Sequence, residues 1–75
     1  MENYLDRSGG SGIEAYEIGS NFIRIRFKNN AIYLYTEEST GVEHINKMKL
    51  LAQRGHGLCT FISQNVKHNY ANKEQ

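Results

Sequence analysis

Residues Phe22 to Thr36 run Phe-Ile-Arg-Ile-Arg-Phe-Lys-Asn-Asn-Ala-Ile-Tyr-Leu-Tyr-Thr, two alternating β-prone runs on either side of an Asn pair. A period of two fits a half-buried strand and no helix, so the segment predicts a β-hairpin. Asn tolerates left-handed backbone, which makes Asn29-Asn30 the natural turn. About that turn Phe27 opposes Ile32, Arg26 opposes Tyr33, Ile25 opposes Leu34 and Arg24 opposes Tyr35. Ile23, Ile25, Phe27, Ile32 and Leu34 then share one dry face, and Arg24, Arg26, Lys28, Tyr33 and Tyr35 share the other. A four-residue loop from Lys28 to Ala31 preserves these pairs. A three-residue loop slips one strand by a residue and brings Tyr33 and Tyr35 beside Phe27 and Ile25. The unslipped register is the expectation, because it keeps every charge off the dry face.

The second face combines cations with flat rings. Guanidinium and ammonium groups pair with phosphate, and tyrosine rings stack on unpaired bases, so Arg24, Arg26, Lys28, Tyr33 and Tyr35 form a candidate RNA-binding face. The same residues also suit a solvated sheet surface on which Glu17 pairs with Arg24 or Arg26. Both readings stay open at this level. The net charge is only +1, so attraction to nucleic acid would come from local charge: Asn21 to Thr36 carries three cations and no acid.

At 75 residues the chain makes one small domain with little stability to spare. Its single cysteine excludes an intrachain disulfide and suits a reducing compartment, which together with the absence of a greasy leader or spanning run predicts a cytoplasmic protein without a membrane partner.

Met1 to Gly12 ends in Ser-Gly-Gly-Ser-Gly and is expected to be a flexible tail. Ile13 to Ile18 reads as a first strand, turned through Gly19-Ser20 or Gly19-Ser20-Asn21 into the hairpin; the two-residue turn puts Tyr16 and Ile18 on the dry face. Thr40-Gly41-Val42-Glu43 has capping-box spacing and predicts a helix ending near Gly55, with Val42, Ile45, Met48, Leu51 and Ala52 as its apolar stripe. Leu58, Phe61, Ile62 and Val66 mark a second helix, and Ala71 to Gln75 should fray. The fold class is therefore α+β: a three-stranded antiparallel meander packed against two C-terminal helices, with one domain over residues 13–70.

Tyr33-Leu34-Tyr35, six residues beyond the Ile23, Ile25, Phe27 alternation, resembles the centre of the KTSC domain, a family of small bacterial proteins that also occurs at the C-terminus of some lysyl-tRNA synthetases. Ile62, Val66-Lys67 and Tyr70 stand where that family has an aromatic, Ile-Arg and Tyr, with the aromatic and the Arg replaced, and the family's Val-Pro after the second Tyr is missing. The resemblance covers about residues 18–70. The family has no established biochemical activity, and the resemblance leans towards tRNA-like RNA as partner.

Other chemistry is sparse. His56 and Cys59 are too few for a structural zinc, with no second Cys and with His44 and His68 on different predicted helices. Cys59 lacks an evident base and cleft, and Glu37-Glu38 suit a helix N-terminus. The chain is thus expected to be a binding module with no cofactor, no metal and no catalytic group. Its partner is either RNA or a protein, the latter including a second copy meeting it at a strand edge or the tyrosine face.

Overall fold

The computed structural model describes residues 1–7 and 9–74. Five antiparallel strands stand side by side in chain order: β1 (Glu2–Asn3), β2 (Ile13–Ile18), β3 (Phe22–Phe27), β4 (Ile32–Thr36) and β5 (Asn72–Lys73). Between β4 and β5 the chain leaves the sheet as α1 (Glu37–Thr40), α2 (Val42–Arg54) and α3 (Leu58–Phe61), and α3 runs on as a π-helical segment over Ile62–Val66. The class is α+β, as the sequence implies, with a wider sheet and an extra helical turn.

The hairpin takes the slipped register. Phe27 and Asn30 are joined by an amide-to-carbonyl bond of 2.9 Å, and the Phe27 amide donates to the Ala31 carbonyl at 2.9 Å. The loop is therefore the three residues Lys28 to Asn30, a tight turn closed by one left-handed residue, Asn30, at φ 72°. The Asn29 side chain supports it by accepting from the Ala31 amide at 3.0 Å. Ile23 consequently faces Tyr35, Ile25 faces Tyr33, Arg24 faces Leu34 and Arg26 faces Ile32.

This corrects the face assignment made from the alternation alone. Tyr33 and Tyr35 lie on the inner face and Ile32 and Leu34 on the outer. Arg24 and Arg26 belong to β3, whose own facing is unchanged by the slip, so keeping charge out of the core does not choose between registers. Ring size favours the observed one: Tyr35, only 2 % exposed, buries more apolar surface than a leucine would.

In β2, Ile13 and Tyr16 are both buried although their spacing would put them on opposite faces of a regular strand. A bulge between Ile13 and Ala15 resolves the conflict by inserting one residue into the pairing. The turn after β2 closes with the Gly19 amide on the Phe22 carbonyl and sets Ile18 opposite Ile23 and Glu17 opposite Arg24. It is longer than the Gly19-Ser20 turn expected, by an even shift in pairing, so Tyr16 still points inward.

One core lies between sheet and helices. Ile23 and Ile25 are fully buried against Ile45, Met48, Leu58 and Val66, with Ile13, Tyr16, Tyr35 and Ile62 around them. Gly55 stops α2 in the left-handed conformation, its amide bonded to the Leu51 and Ala52 carbonyls. Val42, expected in the apolar stripe, is 52 % exposed.

The capping box sits one turn earlier than the Thr40 and Glu43 spacing implies. Thr36 caps α1 and exchanges hydrogen bonds with Ser39, while α2 starts from Gly41 without a side-chain cap. Thr40 is buried and donates instead to the Asn69 carbonyl at 2.7 Å, a tertiary contact that no local spacing can announce.

The ends of the chain are also built in. β1 pairs Glu2 with Tyr16 and Asn3 with Ala15; Tyr4 enters the core, where its hydroxyl accepts the Leu58 amide at 3.3 Å. At the other end β5 pairs with Tyr33 and Leu34. The expected tail over residues 1–12 and the fraying of residues 71–75 are thus corrected for the described residues; Ser8 and Gln75 lie outside them. Both added strands are two residues long, too short to show a period in the sequence.

Candidate functional site

The structure does not bring the five residues of the expected RNA-binding face together. Arg24 and Arg26 lie on the outer face of β3, and each is matched by acids. The Arg24 guanidinium bonds Glu74 at 2.9 Å and Glu17 at 3.2 Å and lies 4.9 Å from the centre of the Phe22 ring. The hydrogen bond to Glu74, then the nearby carboxylate charges, push its pKa further up against partial desolvation. Arg26 bonds Glu14 at 2.9 Å, and Lys28 reaches Asp6 at 3.4 Å. Exposed pairs of this kind add little to stability, yet they cancel the local positive field. Glu14, Glu74 and Asp6 come from segments outside the hairpin, so the acid-free run in the sequence becomes a neutral surface.

The tyrosines build something else. Tyr33 and Tyr35 from β4 meet Tyr70, in the segment leading to β5, and Phe27 from the end of β3. The Phe27 and Tyr33 rings meet edge to face with centres 5.7 Å apart; Tyr33 and Tyr70 do so at 4.8 Å and Tyr35 and Tyr70 at 6.3 Å. These rings, with Ile62, line a groove of about 610 Å³ at the hairpin end of the inner face. Lys28, Asn29, Lys67 and His68, with Gly12 and Ala31, complete its lining, and no acid among the described residues takes part. Lys28 is shared with Asp6, whereas Lys67 makes no ion pair among the described residues. The π-helical segment Ile62–Val66 directly precedes Lys67 and His68, and such widened turns recur at functional sites.

Hydroxyl chemistry separates these tyrosines from the others. Tyr4 accepts the Leu58 amide and Tyr16 donates to Glu2 at 3.0 Å. Tyr33, Tyr35 and Tyr70 have no hydroxyl hydrogen bond among the described residues. Burial, reinforced by the neighbouring Tyr33 and Tyr70 phenols, pushes the Tyr35 hydroxyl up to about 12. It is therefore a proton-bearing donor throughout the neutral range.

Ile62, Lys67, His68 and Tyr70 are groove residues from outside the hairpin, and Phe27, read from the hairpin as a dry-face residue, lines the groove as well. Lys67 and Tyr70 stand at positions of the KTSC-like pattern; the long sequence separation from Tyr33 conceals that they meet it.

The remaining titratable groups are scattered. His44 Nδ1 lies 2.9 Å from the Thr40 carbonyl and its ring packs on Phe61. His56 and the half-buried Cys59 line a separate hollow with Gly9, Gly10, Ser11 and Thr60. Among the described residues no three of His, Cys, Asp and Glu are grouped to hold a metal ion, and no helix is long and apolar enough to cross a membrane. Compared with protein-family models, with curated proteins and with solved structures, the chain matches none.

Proposed function

We propose that the protein is a small non-enzymatic binding module that takes single-stranded RNA, seating an unpaired base in the groove lined by Tyr33, Tyr35 and Tyr70 with the flanking phosphates on Lys28 and Lys67. The observation that carries this reading is the groove's composition: four aromatic rings, two lysines, a histidine and no carboxylate in one concave lining. Stacking on aromatic rings contributes about 1–3 kcal/mol per base, and lysines beside a stacked base add the phosphate contacts that supply most affinity without sequence preference. The KTSC-like pattern leans the same way. RNA binding is thereby moved from the arginine face to the groove, retaining Lys28, Tyr33 and Tyr35 and exchanging Arg24 and Arg26 for Lys67, His68, Tyr70 and Phe27.

The competing reading is a protein-interaction or self-association module. The sheet edges argue against strand addition, since β1 and β5 are two residues each and offer almost no template. An NMR titration with an oligouridylate at low salt tests the proposal. Amide shifts confined to residues 27–35 and 62–70, weakening steeply as salt rises, are the expected result. The proposal is wrong if no shifts occur, or if they map to β2 and the outer face of β3.

A further inference from the structure

We infer that the groove selects the edge of the ring it holds, with the Tyr35 hydroxyl as the specificity-determining donor, so that a heterocycle carrying a carbonyl or ring nitrogen is retained and a plain hydrocarbon ring is not. Tyr35 is 98 % buried by its 2 % exposure, it lines the groove, and its hydroxyl has no hydrogen-bond partner among the described residues. Among the described residues the buried polar atom left without a partner is Asp6 Oδ1, so the Tyr35 hydroxyl is the end of the side chain that opens to the groove, where water or a ligand bonds it. A structural role would be served as well by phenylalanine, which fills the same volume without the polar atom.

The inference rests on the groove being the binding site and adds to it the chemistry of the ligand's inner edge. A base entering edge-first would stack on one of the nearly perpendicular Tyr33 and Tyr70 rings and present an acceptor to Tyr35 in the groove. The hydroxyl keeps its proton well above neutral pH because burial opposes the phenolate, so it can donate to a carbonyl or ring nitrogen of the ligand. Stacking alone is indifferent to base identity. A ring that displaces water from this hydroxyl and leaves it unbonded loses a hydrogen bond that a heterocycle replaces.

The test pairs wild type with Tyr35→Phe and uses uridine 5′-monophosphate, with phenyl phosphate as the ring-bearing anion that lacks edge acceptors. Tyr35→Phe should melt no lower than wild type, because no protein hydrogen bond is lost. It should bind uridine 5′-monophosphate about tenfold more weakly and phenyl phosphate unchanged. Equal affinity of both proteins for the nucleotide would overturn the donor role while leaving RNA binding in the groove intact. A lower melting temperature for Tyr35→Phe would show an internal partner and overturn it too. Failure of the nucleotide and of oligouridylate to shift any groove residue of wild type would overturn the inference together with the function it rests on.

Discussion

The hairpin register can be settled by comparing two neighbouring truncations, Tyr35→Ala and Leu34→Ala. In the structure Tyr35 is 2 % exposed on the inner face, against Ile23, whereas Leu34 is half-buried on the outer face beside Arg24. A tyrosine buries roughly 200 Å², which at about 25 cal/mol per Å² is about 5 kcal/mol. That value is an upper bound because unfolded chains already bury part of such surface, and aromatic-to-alanine changes in cores cost about 3–5 kcal/mol. Leu34 should cost only about 1 kcal/mol, roughly half the value of a fully buried leucine. A domain of this length has a total stability of roughly 4–11 kcal/mol, so Tyr35→Ala removes a large share of it. Urea unfolding followed by circular dichroism gives both numbers, provided the slope with denaturant is the same in each variant. A larger loss for Leu34→Ala than for Tyr35→Ala would refute the register, and with it the groove.

Stability should also fall in alkali: a phenol raised to about 12 when folded and near 10 when unfolded binds its proton more tightly in the folded chain. Its contribution is complete below pH 10 and lost by about pH 12, about 3 kcal/mol in all, and Tyr35→Phe measured across that range should show the smaller decline. Thr36→Ala removes the capping box of α1 and should cost about 1 kcal/mol in urea unfolding; no change would mean that α1 is held by packing alone. Thr40→Val removes the bond from the buried Thr40 hydroxyl to the Asn69 carbonyl and should cost about 0.5–1.5 kcal/mol, while Glu43→Ala, the other half of the spacing read from the sequence, should stay within about 0.5 kcal/mol. Arg24→Ala combined with Arg26→Ala should leave oligouridylate affinity and its salt slope near wild type, whereas Lys67→Ala should reduce the slope by about one unit. The opposite ranking would return RNA binding to the outer face.

Alternation at period two and the stripe Ile45, Met48, Leu51, Ala52 were enough to read the α+β class, the three central strands, α2 with its Gly55 stop, and the burial of Ile23 and Ile25. Those signals are local: a strand's facing and a helix's apolar side are set by residues two to four apart. The register of the hairpin was not legible, because the loop length of Lys28 to Asn30 depends on one left-handed residue and a slip of one leaves every charge outside the core. Only packing against α2 and the π-helical segment decided that Tyr33 and Tyr35 point inward. Tertiary structure also supplied the acids that neutralise Arg24 and Arg26, since Glu14 comes from β2 and Glu74 from the end of the chain. It assembled the groove for the same reason: Tyr33 is far in sequence from Lys67 and Tyr70, and residues that come together only after the chain returns to the sheet leave no spacing to read.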